Sequence, residues 1–158
     1  MEKEFKEIIE ESKKSLEKIE KNIEERSEDF TEEVSEFWVD LKKHLSGVEG
    51  KLKDAYDNFE DQAELKGHLG MMEARDRIEK LEEVAHEFTY KVSTNAQEEL
   101  DIAALKAHLA KMESEDLWAE KQKELLVLYN DSKEEAEKLA IKAAKELNNI
   151  VFKLTEMI

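Results

Sequence analysis

The chain has 158 residues, of which 42% are charged and 40% are hydrophobic, and its formal net charge is −16. A chain this acidic repels nucleic-acid phosphates and anionic lipid headgroups, so we expect no nucleic-acid partner and no binding to anionic membranes. The absence of cysteine excludes disulfides, thiolate nucleophiles and zinc sites built on cysteine.

The first predicted element is a helix with a narrow apolar stripe. Its apolar residues run from Phe5 to Ile23 at alternating steps of four and three residues, which is the helical period. There is no proline to stop a helix, and only four glycines occur in the chain. The stripe covers one side only, so this helix needs a partner to bury it.

Four further predicted helices follow, separated by polar segments that contain candidate caps. Their apolar stripes cover residues 30–59, 65–88, 100–129 and 140–158. The predicted capping residues are Asp29, Asp61, Thr94 or Asn95, and the segment 130–132. The joints at 27–31 and 130–132 contain neither Gly nor Pro, so each is either a turn or a kink in a continuous helix.

These elements predict an all-α fold in which residues 1–158 form a single domain. The predicted architecture is an elongated antiparallel bundle of four or five long amphipathic helices, each of about 25–35 residues. The last helix has three apolar rows, which favours burial among several helices. The alternative is an extended coiled coil with one or two helices of about 60 residues.

One phrase occurs three times, at residues 41–49, 65–73 and 105–113, with the shared pattern Leu-Lys-x-His-Leu-small-x-(Val/Met)-Glu. The spacing of the copies is irregular, which argues against a solenoid with a fixed period. A small residue follows the second Leu of each copy. It predicts the close approach of a neighbouring helix.

The second and third copies place a histidine and an aspartate in an apolar stripe, at His68 and Asp76 and at His108 and Asp116. Imidazole and carboxylate groups bind metals, and bundle cores host such sites, so these four residues are candidate metal ligands or proton-transfer groups. His68 and Asp76 lie about 12 Å apart along a helix, however, so those two cannot share one ion. The alternative is that each histidine lies at the edge of the stripe and each aspartate marks a change of buried face.

The register between the helix that carries His68 and Asp76 and the helix that carries His108 and Asp116 decides whether these four residues lie close together. A tight hairpin that turns near residue 95 places His68 level with Lys121 and His108 level with Leu81. Only a shifted pairing or a dimer would then bring both histidines and both aspartates together.

Trp38 is the aromatic residue with two interpretations. It lies within Phe37-Trp38-Val39, and three bulky apolar neighbours cannot all face the same stripe. Trp38 is therefore either a core residue or an anchor that contacts a protein partner, because aromatic side chains dominate interface energetics.

No motif in the sequence names a reaction. It has no Gly-rich phosphate loop, no Gly-x-Ser-x-Gly elbow and no His-Glu-x-x-His pair, so we expect neither an enzyme nor a bound cofactor. We expect a non-enzymatic binding or scaffold protein that contacts a protein partner or forms a homo-oligomer. The alternatives are an amphipathic coat protein on a lipid or polymer granule and a metal-binding bundle.

The apolar segments are too short for membrane insertion. The longest strictly apolar run extends only from Leu125 to Tyr129, and no stretch of signal-peptide type follows Met1. We therefore expect a cytoplasmic protein that is not an integral membrane protein.

Overall fold

The computed structural model describes the backbone of residues 2–61, 64–112 and 115–157, while the side chains of residues 2, 112, 115–119 and 121 lie outside that description. The described chain holds six α-helices and two short 3-10 helices and contains no strand, which confirms the predicted all-α class. The α-helices are α1 (Glu2–Arg26), α2 (Glu32–Glu60), α3 (Glu64–Ser93), α4 (Ile102–Met112), α5 (Glu115–Asp131) and α6 (Lys133–Glu156). The 3-10 helices are Ser27–Asp29 and Gln97–Glu99.

The helix lengths decide between the two predicted architectures. The four long helices α1, α2, α3 and α6 have 25, 29, 30 and 24 residues, so the bundle is present and no described helix approaches 60 residues. Both joints that the sequence left open interrupt the helix, one at the 3-10 turn Ser27–Asp29 and one at Ser132. The stripe over 100–129, predicted as one helix, corresponds to α4 and α5, and residues 113–114 between them lie outside the described chain.

Three of the helices have an N-terminal cap in which a hydroxyl or carboxyl oxygen accepts a backbone hydrogen bond. Thr31 caps α2 by accepting a hydrogen bond from the Val34 N–H at 3.3 Å, so the cap is Thr31 and not Asp29. Ser132 caps α6 in the same way. Asp101 Oδ1 accepts from the Ala104 N–H at 3.1 Å at the start of α4.

Asn95 ends α3; it does not cap α4 as predicted. It is the one described non-glycine residue with positive φ, at 59°, a conformation that asparagine tolerates. The Ala96 N–H donates to the Lys91 carbonyl at 2.8 Å, and the Asn95 N–H donates to the Val92 carbonyl at 3.4 Å. This pair of bonds is a Schellman motif, which satisfies the last free carbonyls of the helix.

Helices α1, α2, α3 and α6 form a four-helix bundle in which α1 and α3 are diagonal to each other. Ion pairs at both ends of the α1–α2 interface show that these helices are antiparallel: Glu24 pairs with Lys42, and Lys6 pairs with Glu60. Helix α3 then returns along α2, antiparallel to it.

Helices α4 and α5 carry the chain back along the outside of α3. His108 of α4 contacts Glu83 at 3.2 Å, and the Tyr129 ring of α5 lies 6.3 Å from the His68 ring. Sequence numbers rise along one partner as they fall along the other, so the α4–α5 segment is antiparallel to α3. The hairpin register inferred from the sequence is close near the turn, where His108 contacts Glu83 and not Leu81, but it is wrong by eight residues farther along, where His68 lies beside Tyr129 and not Lys121.

The return of the chain makes α6 parallel to α3. Lys133 at the start of α6 pairs with Glu64 at the start of α3 at 2.7 Å. Farther along both helices, Glu146 of α6 pairs with Arg75 of α3, so residue numbers rise in the same direction along the two helices. Helix α6 fills the fourth corner of the bundle between α1 and α3. The α5 segment, which packs against α6 and α3, remains outside the four-helix core.

The core consists of one continuous cluster of apolar side chains. Burial of one such side chain stabilises the fold by about 1.5–3 kcal/mol, and the cluster is the main source of stability. Its largest fully buried members include Phe5, Ile9, Leu16, Phe37, Leu41, Phe59, Met71 and Phe88.

The buried face of α3 differs from the predicted stripe. Met71 and Ala74 are buried, whereas Leu69 and Met72, which the pattern assigned to the core, are only half-buried. With Met71 and Ala74, the buried positions continue to Ile78 at helical spacing, whereas a stripe through Met72 would need an irregular step to reach Ile78. Helix α3 therefore has a second apolar stripe outside the bundle core.

Close approach of α2 to α3 explains two glycines. A Cβ atom on Gly67 would lie 2.6 Å from the Phe59 ring, and one on Gly70 would lie 3.0 Å from the Ala55 Cβ. The second copy of the repeated phrase thus has small residues where another helix packs, as predicted, whereas the prediction is wrong for Ser46 and Ala110 of the other two copies, which are exposed. No described helix has the length and apolar character needed to cross a membrane.

Candidate functional site

An open cleft of about 360 Å³ lies between α3, α5 and α6. Its apolar lining consists of Met72, Leu125, Leu128, Leu139 and Ala143. Its polar lining consists of Arg75, Asp76, Glu124, Lys142 and Glu146. A concave apolar surface with a few charged groups is the usual form of a binding site, so the cleft is the candidate functional site.

Three local features of the sequence form the cleft. The second apolar stripe of α3 supplies Met72, and the apolar run of α5 supplies Leu125 and Leu128. Ala143 is the small residue on the α6 wall. Because the side chain of Ala143 ends at Cβ, it leaves space between the two neighbouring helices.

Arg75 is held by three carboxylates beside the cleft. Its Nη1 atom lies 3.0 Å from Asp76 Oδ1 and 2.7 Å from Glu79 Oε2, and its Nε and Nη2 atoms lie 2.8 and 2.7 Å from Glu146 Oε2. Burial by itself would lower the pKa of Arg75, but the hydrogen bonds to Asp76 and Glu146 raise it. The guanidinium group therefore stays charged and links α3 to α6.

The cleft carries a net negative charge. Among the described residues, three carboxylates line it, from Asp76, Glu124 and Glu146, against the cations of Arg75 and Lys142, and a fourth, from Glu79, pairs with Arg75 beside the cleft. The charge of Arg75 is already compensated by its three partners. An incoming group at this surface therefore meets a field that favours a cation.

Asp76 is paired within this network. The sequence placed it in an apolar stripe, where a carboxylate is costly unless it has a partner. It is only 8% exposed and bonds to Arg75. The ion pair with Arg75 therefore explains why an aspartate is tolerated in the apolar stripe, and Asp76 also lines the cleft.

His68 lies in an aromatic cluster at one end of the bundle. It is 2% exposed, and its ring is 5.3 Å from the Phe5 ring and 5.7 Å from the Phe59 ring. Burial lowers the pKa of His68, and nearby Lys133 lowers it further, whereas Glu64 raises it. Its Nδ1 atom is shielded from solvent and has no hydrogen-bond partner. His68 is therefore a neutral core residue.

The structure does not bring the four predicted ligand residues together. His108 is partly exposed and contacts Glu83, which lies about 22 Å from His68 along α3. The side chain of Asp116 lies outside the described residues. Within the described part of the chain, no group of three or more His, Asp or Glu residues is placed to hold a metal ion.

Trp38 lies in the core between α1, α2 and α3. It is 3% exposed, its ring stacks on Phe88 at 5.9 Å, and its Nε1 donates to Glu24 at 3.0 Å. Lys42 and Trp38 together lower the pKa of Glu24. This burial supports the core interpretation, because a partner could reach Trp38 only if the helices separated.

Glu20 of α1 and Glu49 of α2 form a pair of facing carboxyl groups. Burial and the charge of Glu20 raise the pKa of Glu49 to about 7. Burial also raises the pKa of Glu20, although Glu49 and Lys42 act in the opposite direction. The Oε1 atom of each is shielded and has no donor. Two carboxylates are both acceptors, so they bond to each other only when one is protonated.

Several large apolar side chains remain exposed on the outer helices. On α5 and α6 they are Leu126, Val127, Leu139 and Phe152, and Val127 is 61% exposed. Leu139 both lines the cleft and is 41% exposed, so it connects the cleft to the surface. The exposed Leu139 at the edge of a concave apolar cleft indicates a contact surface.

Two features of the sequence indicate apolar surface at the cleft, but neither alone predicts that α3 and α5 form it together. The shift of buried face at Asp76 and the run from Leu125 to Tyr129 both pointed to extra apolar surface. Arg75, Lys142 and Glu146 carried no such signal, because charged residues are abundant throughout the chain. No protein-family model, curated protein or solved structure matches this chain.

Proposed function

We propose that the protein is a non-enzymatic binding or scaffold protein that contacts a protein partner through the face where α5 and α6 meet. The observation that carries the proposal is the open apolar cleft, together with the exposed side chain of Leu139 at its edge. Apolar surface of this kind is costly to leave in water, and binding of a partner would bury it.

The charge of the chain favours a different protein over a second copy as the partner. Two copies would each bring a net charge of −16, and their repulsion opposes association. Light scattering at low salt is expected to give the mass of a monomer. A stable dimer there would instead support the homo-oligomer alternative.

Site-specific photo-crosslinking in the cell of origin tests the proposal. A photoreactive amino acid at Leu139 is expected to give one discrete protein adduct, because this side chain is exposed and lines the cleft. The matched control is the same amino acid at Lys18, an exposed residue of α1, which is diagonal to α3 and away from α5. Equal adducts from Leu139 and Lys18, or none from either position, would contradict the proposal.

The coat function on a lipid or polymer granule makes a different demand on the fold. The apolar stripes of the four long helices are packed against each other, so a coat would require the bundle to open. Flotation with neutral lipid emulsions tests this alternative. We expect the protein to stay in the aqueous layer with unchanged helicity.

A further inference from the structure

We infer that the cleft between α3, α5 and α6 docks a basic amphipathic helix of a partner protein. This inference rests on the proposed function and specifies the partner's chemistry. The cleft lies between helices, and a groove between helices is a common docking place for the apolar face of another helix.

The size of the cleft suits a few apolar side chains. Its volume of about 360 Å³ is at the lower end of the range of about 300–1,000 Å³ found for ligand pockets. An amphipathic helix presents apolar side chains three and four residues apart along one face. Leu128, Leu139 and Ala143 provide apolar surface on both sides of the cleft to receive them.

The charges around the cleft select a cationic partner. Three described carboxylates line the cleft with two cations, and one of those cations, Arg75, is already bound by Asp76, Glu146 and the neighbouring Glu79. Glu124 of α5 is exposed and no ion pair compensates it among the described residues. Lysine or arginine residues beside the apolar face of a docked helix would find complementary charge here.

The same charges disfavour two other occupants. A second copy of this chain carries a net charge of −16 and would be repelled. An anionic amphiphile would gain the attraction of Lys142 but would face the three carboxylates that line the cleft. A glutamate-bearing peptide therefore tests for an anionic occupant, and the mass from light scattering tests for a second copy.

The experiment measures binding of labelled synthetic peptides to the purified full chain by fluorescence anisotropy. The probe is a helix-forming peptide of about 18 residues with leucine along one face and lysine elsewhere. A second peptide keeps the leucine face but carries glutamate in place of lysine. A third has the composition of the probe with the leucines scrambled, which reports non-specific attraction to an acidic protein.

Four variants of the protein locate the binding. Leu139→Asp is expected to weaken binding of the probe at least about tenfold, and Ala143→Leu, which fills the cleft, should do the same. Glu124→Lys is expected to weaken it by about three- to tenfold through charge. The matched control is Val39→Asp on α2, where Val39 is 54% exposed and far from the cleft, and binding should be unchanged.

The outcomes separate this inference from the proposed function. Preferential binding of the probe that Leu139→Asp and Ala143→Leu reduce would support the inference. Equal binding of the scrambled peptide, binding that none of these variants changes, or preference for the glutamate peptide would overturn it. If no peptide binds but Leu139 still gives a discrete photo-adduct, the inference fails and the proposed function stands. If the photo-adduct is also missing, both fail.

Discussion

Replacement of Glu49 by glutamine is expected to stabilise the protein at high pH and to have little effect at low pH. In the native fold, Glu49 faces Glu20 across the α1–α2 interface, and each has a shielded oxygen without a donor. When both carboxyl groups are ionised, they repel each other in a partly buried environment, which destabilises the folded state. Glutamine has the same shape without the charge, and its amide can donate to Glu20.

The size of the effect follows from the raised pKa of Glu49. A rise from 4.5 to about 7 would correspond to about 3 kcal/mol, at 1.36 kcal/mol per pKa unit. The carboxyl group is only half-buried, so solvent screening reduces the expected effect to about 1–2 kcal/mol. Because the folded-state pKa lies above the unfolded one, the folded state binds the extra proton, and stability falls as pH rises from about 4.5 to about 7.

Urea unfolding, followed by far-UV circular dichroism across this pH range, measures the effect. We expect Glu49→Gln and the wild type to have similar free energies of unfolding near pH 4 and to differ by about 1–2 kcal/mol near pH 8. The control Glu36→Gln removes one charge from an exposed position of the same helix and should change stability by less than about 0.5 kcal/mol. A difference between Glu49→Gln and wild type that does not vary with pH would refute the reasoning.

Four further substitutions test the packing, each by urea unfolding. Gly47→Ala should stabilise the fold by about 0.5–1 kcal/mol, because nothing lies within 4 Å of its new Cβ. Gly67→Ala should destabilise it by about 1–3 kcal/mol, because its Cβ clashes with Phe59. If both substitutions changed the free energy of unfolding in the same direction, the close approach of α2 to α3 at Gly67 would be contradicted. His68→Leu should be about 1 kcal/mol more stable than wild type near pH 7, and its advantage should grow below about pH 6.5, because burial lowers the pKa of the histidine. Trp38→Phe should cost about 1–2 kcal/mol by removing a buried hydrogen bond and ring area, and an unchanged stability would place Trp38 outside the core.

Much of the bundle was predictable because helical periodicity reports burial directly. The stripe from Phe5 to Ile23 and the stripe of α2 are buried as the pattern indicates. The pattern was less informative for α3, which has apolar residues on two faces. Periodicity alone could not decide whether Met71 or Met72 faces the core, since that choice depends on where α2, α5 and α6 pack.

The caps and the cleft show what the sequence leaves undetermined. Glutamate, serine and aspartate are so common here that several cap assignments fit each joint, and only backbone geometry selects Thr31 and Asp101. The cleft depends on three helices that are distant in sequence. Arg75 and Glu146 meet only because α6 runs parallel to α3, which no local pattern specifies.

The measurement that tests the account most directly is a methyl NMR titration of the full chain with the basic amphipathic peptide. We expect the methyl signals that shift to be those lining the cleft, in particular Met72, Leu128 and Ala143. The signals of Ile9 and Leu16, buried in α1, should stay in place because the bundle does not open. Shifts that concentrate on α1 and α2, or an absence of shifts at saturating peptide, would contradict the assignment of the binding surface.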